Sequence, residues 1–231
     1  MERKIFFGIL VATLVALALA ILMPGGRQAD SDPKLPWQIR IDETGHPTVL
    51  GITLGRTTLK QARDLFQEQG ELNLFVTPPD HYAIEAYFQR LFLSGLRADV
   101  ILTLAVDPLV RKAMYERGLR ISKLGSGDRK VDLTVEDKKL LEEVPVDHIT
   151  YIPAIDLDEV LITARFGEPT LRIAESPEVS HWLYPAKGLD IAVNRNGKEV
   201  IQYVIPAKFD QILGPLQEKA ARKGGETGTG G

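Results

Sequence analysis

Nineteen consecutive residues without a charge, IFFGILVATLVALALAILM at positions 5–23, constrain this chain more than any other feature. As a helix they would span about 28 Å, the thickness of a bilayer core, so the run predicts a transmembrane segment. Arg3 and Lys4 precede it while only Arg27 closely follows it. That bias predicts a cytoplasmic N-terminus, residues 1–4, with the rest of the chain exported. The competing reading is a cleaved signal peptide, for which Ala-Leu-Ala at 18–20 supplies a small-residue cleavage pattern. Against it, the apolar stretch exceeds the roughly 7–15 residues usual for such a segment. The preferred reading is a single-pass anchor in the inner (cytoplasmic) membrane, with the C-terminal domain on the periplasmic or extracytoplasmic side.

The remaining residues suffice for one large or two small globular units, since 44% of the 231 residues are hydrophobic and 26% charged. A formal net charge of −3 leaves no broad basic surface for a phosphate backbone, so nucleic acid is not expected as a partner. The absence of cysteine removes disulfides, thiolate nucleophiles, Cys-based metal sites and a lipidated cysteine. His46, His81, His148 and His181 show no short metal-binding spacing, so neither metal nor cofactor is expected.

Along the chain, the Gly- and Pro-rich residues 24–36 read as a linker, and the fold begins at Trp37. WQIRI, a turn and TVLGITL suggest an opening hairpin. Thr58 with Gln61 forms a capping-box pattern, Leu59, Ala62, Leu65 and Phe66 share one face, and Gly70 offers a left-handed stop. These predict a helix over 58–69. Strand-like ELNLFV, IEAYFQRLFL and LRADVILTLAV complete a first helix-plus-sheet unit, 37–106.

The middle section, 107–148, opens with a helix capped by Asp107 and started by Pro108, with Leu109, Val110, Ala113 and Met114 as its apolar face. A polar hairpin with its tip at 125–128 and a helix capped by Thr134 follow. The second unit, 149–216, begins with a helix read from Asp156 and Glu159, with Leu157, Val160, Leu161 and Ala164 in helical spacing and Gly167 and Pro169 as its end. HWLYP then reads as the first strand of an antiparallel meander, with Trp182 and Tyr184 on one face. Residues 217–231, low in apolar side chains and rich in Gly, read as a disordered tail. The fold class expected is therefore α+β: an N-terminal transmembrane helix followed by two helix-plus-antiparallel-sheet units.

The two units repeat one pattern, because TTLKQARDLFQEQGELNLF and DLDEVLITARFGEPTLRI each place a capped amphipathic helix, a late aromatic, a Gly stop and an extended segment in order. Their starts, Thr58 and Asp156, lie 98 residues apart. GITLGRTTLKQARDLF and, more fully, FGEP followed by HWLYP and LDIAVNRNGKEVIQYVIP resemble the helix-helix-sheet units of the β-lactamase-inhibitor-protein-like class. Within that class, the small lipoprotein subunit of the outer-membrane β-barrel assembly machine is the nearest in pattern. The likeness covers residues 51–76 loosely and 155–206 better. The chain departs from that lipoprotein in lacking the lipidated Cys, in its apolar anchor and in its long middle section. The resemblance implies a protein that works by binding other proteins, without catalysis.

Candidate chemistry is sparse. Asp80, His81 and Glu85 stand close in sequence and define a conceivable acid/base cluster, although a polar loop leading into a strand accounts for them. GSGD at 125–128 suits a hairpin turn better than a phosphate loop. Glu136, Asp137, Glu142, Glu143 and Asp147 read as a solvated helix face beside Lys138 and Lys139. The candidate interaction surface is aromatic: Tyr82, Tyr87, Trp182 and Tyr184, with Tyr184, beside a turn, the best exposed candidate and Phe88 and Trp182 tending to the core. The expected function is a non-catalytic, membrane-anchored interaction or assembly module with an unidentified envelope protein as partner. The alternative is a carrier or sensor holding a small apolar or lipid-like ligand between helix and sheet. A hydrolase centred on His81 and Glu85 ranks third.

Overall fold

The computed structural model describes residues 33–226. The apolar run at 5–23 lies outside the described residues, and among those described no helix is long and apolar enough to cross a membrane. The fold is α+β, dominated by a large antiparallel sheet. It begins with a small sheet of three strands, β1 (Arg40–Ile41), β2 (Pro47–Val49) and β3 (Ile52–Thr53), joined as successive hairpins.

The large sheet has ten strands: β4 (Glu71–Thr77), β5 (His81–Leu93), β6 (Leu96–Leu104), β7 (Arg120–Lys123), β8 (Arg129–Asp132), β9 (Val146–Pro153), β10 (Leu171–Ala174), β11 (Val179–Tyr184), β12 (Leu189–Asn194) and β13 (Val200–Tyr203). They run in the order β10-β11-β12-β13-β9-β6-β5-β4-β8-β7. The stretches 37–106 and 149–216 meet at its centre, where Val100 of β6 pairs with Phe88 of β5 on one side and Tyr151 of β9 on the other. The middle section closes one end of the sheet, because the β7–β8 hairpin adds outside β4.

Alternation explains the central strands. Ala98, Val100, Leu102 and Leu104 of β6 are buried in turn, with less buried residues between them. The tight turn from β5 to β6 places Ser94 at φ 47 and Gly95 at φ 87, the left-handed pair that matches strand twist in a two-residue hairpin. Further back, Arg90 at φ 49 is an inserted residue, its N–H bonded to Asp99 Oδ1 at 2.7 Å. This bulge shifts the alternation by one, so that Leu91 rather than Arg90 enters the core.

Five α-helices accompany the sheet among the described residues: α1 (Leu59–Phe66), α2 (Pro108–Glu116), α3 (Val135–Leu141), α4 (Glu159–Phe166) and α5 (Asp210–Glu226). The capping signals at Thr58, Asp107 and Thr134 all act as read: each side chain accepts from a backbone N–H of the first turn. At α1 the box is complete, since Gln61 Oε1 also accepts from the Thr58 N–H at 3.0 Å.

Several expectations are corrected. Helix α1 ends at Phe66, where Gln67 itself turns left-handed at φ 55 and bonds back to the Asp64 carbonyl, so Gly70 is not its stop. On α2, Leu109 is 79% exposed and Val110 is exposed too, leaving Met114 as its buried residue. Helix α4 is capped by Asp158, whose Oδ1 accepts from the Leu161 N–H at 2.6 Å, and not by Asp156. The buried Glu199 carboxylate takes the Leu157 N–H at 2.9 Å and holds the preceding turn outside the helix. Ile162 and Phe166, not Val160 and Ala164, face the core. The strand with Trp182 and Tyr184 is second in its meander, after β10.

The C-terminal segment is helical through Glu226 and not disordered from 217. Ile212, Leu213 and Leu216 on α5 pack against Leu183, Val204 and Phe209, a small core separate from the main one. By strand alternation Leu183 lies on the opposite sheet face from Trp182 and Tyr184, which belong to the main core. Burial of that apolar stripe offsets the low propensity of a Gly-rich tail.

Candidate functional site

The four aromatics do not form one surface. Tyr184 is 3% exposed, so its reading as a surface residue is corrected, and Trp182 is buried as well. The Tyr184 hydroxyl donates to the Gly167 carbonyl at 2.9 Å, and Lys187 Nζ donates to the Phe166 carbonyl at 2.6 Å. Two carbonyls at the end of α4 are thereby satisfied, which is why Gly-Glu-Pro and the Trp-Tyr strand occur together. Burial pushes the Tyr184 hydroxyl up to about 12. Trp182 lies under the Arg172 guanidinium, 4.0 Å from its ring centroid.

On β5, Tyr82 and Tyr87 are half-buried and, five residues apart before the bulge, point to opposite faces of the sheet. Tyr82 packs with Tyr115 of α2, ring centroids 5.4 Å apart, so it is a helix-docking contact. His81 is exposed and Glu85 half-buried, and four positions apart along the strand they lie about 13 Å from each other, beyond hydrogen-bond reach. Burial raises the Glu85 carboxyl, with no basic partner behind the shift. Among the described residues no group of three or more His, Asp or Glu side chains is arranged to hold a metal ion.

The acidic run between 136 and 147 is also not uniformly solvated. Asp137 is buried and held by Arg117, which reaches it from the end of α2 with Nε 3.0 Å and Nη2 2.5 Å from the carboxylate.

What the structure does assemble is an apolar cavity of about 470 Å³ at the end of the sheet where β9 stops and the β5–β6 hairpin turns. Tyr151 and Pro153 of β9 and Leu96 at the start of β6 line it on the sheet side. Helix α4 supplies Leu161, Ile162 and Phe166, and Pro36 and Trp37 close it from the N-terminal segment. Among the described residues, the only charged side chains in its wall are Arg97 and Arg165. Phe92 and Ile155, 59% and 61% exposed, stand at its open side.

Each wall is anchored. The buried Tyr203 hydroxyl donates to the Pro36 carbonyl at 2.8 Å and fixes the segment carrying Trp37 against β13. Glu199 holds Leu157 as described, and the Arg165 guanidinium covers the Trp37 ring at 4.6 Å. Burial pushes the Tyr151 hydroxyl up to about 12. None of these contacts was signalled by local sequence, because the walls come from chain segments as far apart as residues 36 and 166.

Two buried histidine environments give the fold a pH dependence. Burial lowers the half-buried His148 on β9 to about 4, against a weaker opposing pull from Asp147. The unfolded chain therefore binds this proton more tightly, and stability is lost as pH falls from about 6.5 towards 4, by up to about 3 kcal/mol. At His181 burial acts downward, but the Asp190 carboxylate, 2.9 Å from Nδ1, and Glu175 outweigh it and leave the imidazole raised. Its contribution is present below about pH 6.5 and is lost as pH rises through the raised value. Urea midpoints between pH 4 and 6.5 should fall steeply for the native chain and much less for His148→Gln. An equal fall in both would refute the assignment.

No protein-family model matches the chain, and no curated protein and no solved structure matches it.

Proposed function

We propose that this chain is a membrane-anchored envelope protein, held by residues 5–23, whose exported α+β domain binds a small apolar or lipid-like molecule as a non-catalytic carrier or sensor. The observation that carries the reading is the cavity: its 470 Å³ falls within the roughly 300–1,000 Å³ of small-molecule sites, and its wall is apolar apart from two arginines. Pro36 in that wall stands thirteen residues after Met23, so the site is close in sequence to the expected anchor. The neutral dye N-phenyl-1-naphthylamine should bind saturably with enhanced fluorescence. Leu161→Trp, which fills the cavity from α4, should weaken it about tenfold or more, the factor given by about 1.4 kcal/mol of lost apolar burial. Absence of saturable binding to the native chain would sink the reading.

A second reading, a docking module for another envelope protein, is favoured by one strand. β7 is an outer strand of the large sheet, and its Ile121 is 51% exposed between exposed Leu119 and Leu124. An edge of this kind accepts an added strand. Photo-crosslinking in cells from position 121 should then capture one envelope protein, with Ile121→Lys abolishing co-purification. A folded, abundant chain that yields no adduct from that position would remove this reading.

A further inference from the structure

We infer that the occupant of the cavity is an anionic single-chain amphiphile, a fatty acid, whose carboxylate is held by Arg97 and Arg165. This rests on the cavity being a ligand site at all. Arg97 belongs to β6 and Arg165 to the last turn of α4, yet both belong to the wall of the same apolar space. Among the described residues neither guanidinium has a carboxylate partner, and no Asp or Glu lines the cavity. Four arginines elsewhere in the fold do carry a carboxylate partner: Arg56 with Asp42, Arg63 with Glu142, Arg117 with Asp137 and Arg172 with Glu168.

The two in the cavity wall are stacked on aromatics. Arg165 covers Trp37 at 4.6 Å and Arg97 stands 5.8 Å from the Phe92 ring centroid. Such stacking holds a guanidinium by its face and leaves its edge N–H donors free. An apolar chamber bounded by two cations with uncommitted donors complements a molecule with a hydrocarbon tail and an anionic head. The carboxylate takes paired N–H donors in the plane of the fork, and the tail replaces apolar wall that otherwise faces water.

Displacement of N-phenyl-1-naphthylamine by dodecanoate and by its methyl ester tests this, because the two share a tail and differ in the charge of the head. The native chain should prefer the acid by roughly five- to tenfold, the range for partly exposed charge-assisted hydrogen bonds. In Arg97→Gln/Arg165→Gln the preference should collapse towards one, and Arg97→Lys/Arg165→Lys should retain part of it. Equal displacement by acid and ester in the native chain overturns the inference while leaving the cavity as a ligand site. So does a preference that survives the double glutamine variant, or failure of both compounds to displace bound dye. If the dye itself does not bind, the underlying reading fails with it.

Discussion

Gly188→Ala should cost about 4 kcal/mol and lower the urea midpoint accordingly. Gly188 ends the short 3-10 turn Pro185–Lys187 at φ 61, just before β12, so an alanine there carries the roughly 1–3 kcal/mol of a left-handed non-glycine residue. Space adds to conformation, because a Cβ at this position would lie 2.0 Å from the Val204 carbonyl oxygen. That oxygen belongs to backbone and cannot swing aside. The Val204 N–H also donates to the Gly188 carbonyl at 2.8 Å, so separating the two segments strains the bond that closes β12 on the end of β13. Overpacking of this kind costs roughly 1–3 kcal/mol more. Gly95→Ala is the control, since its φ of 87 is also left-handed but nothing lies within 4 Å of the added atom. It should cost about 1 kcal/mol, the conformational part alone. Equal losses at the two sites would refute the close approach.

The second large effect is an asymmetry across one ion pair. Asp137 is 2% exposed in its side chain and Arg117 46%. Arg117→Met leaves a buried carboxylate without its cation and should cost about 3 kcal/mol, the penalty of an uncompensated buried charge. Asp137→Asn leaves a guanidinium that can turn to water, and should cost about 1 kcal/mol. Urea denaturation of both single variants and the double variant measures this. The double variant should lie near Asp137→Asn, because the charge that makes Arg117→Met costly is gone. Equal single-variant losses would show that Asp137 is solvated enough to stand alone.

Both effects lie where sequence reasoning stopped short. Asp137 read as one member of a solvated acidic face, since Glu136, Glu142 and Glu143 surround it and its partner comes from the preceding helix, twenty residues back. Nothing near Gly188 in sequence points to Val204. The same holds at the candidate site. Tyr184 beside Pro185 has the local signature of a surface residue, but the carbonyl it meets lies seventeen residues earlier, at Gly167. The cavity left no trace in any one stretch because four separated segments build it.

What the sequence by itself determined was local. The caps at Thr58, Asp107 and Thr134, the hairpin tips at Ser94-Gly95 and 125–128, and the inside-outside alternation of β6 all follow from interactions within a few residues. The tertiary structure decided what depends on distant partners. It joined the strands of both halves into one sheet across the β6–β9 pairing and chose Asp158 over Asp156 as a cap through Glu199. It made a helix of the tail by giving Ile212, Leu213 and Leu216 a second sheet face to cover, and it set two unpaired arginines around an apolar space. A cap or a turn is stabilised by contacts the chain always keeps nearby, whereas a buried face, a buried charge or a cavity wall takes its energy from groups that only folding brings together.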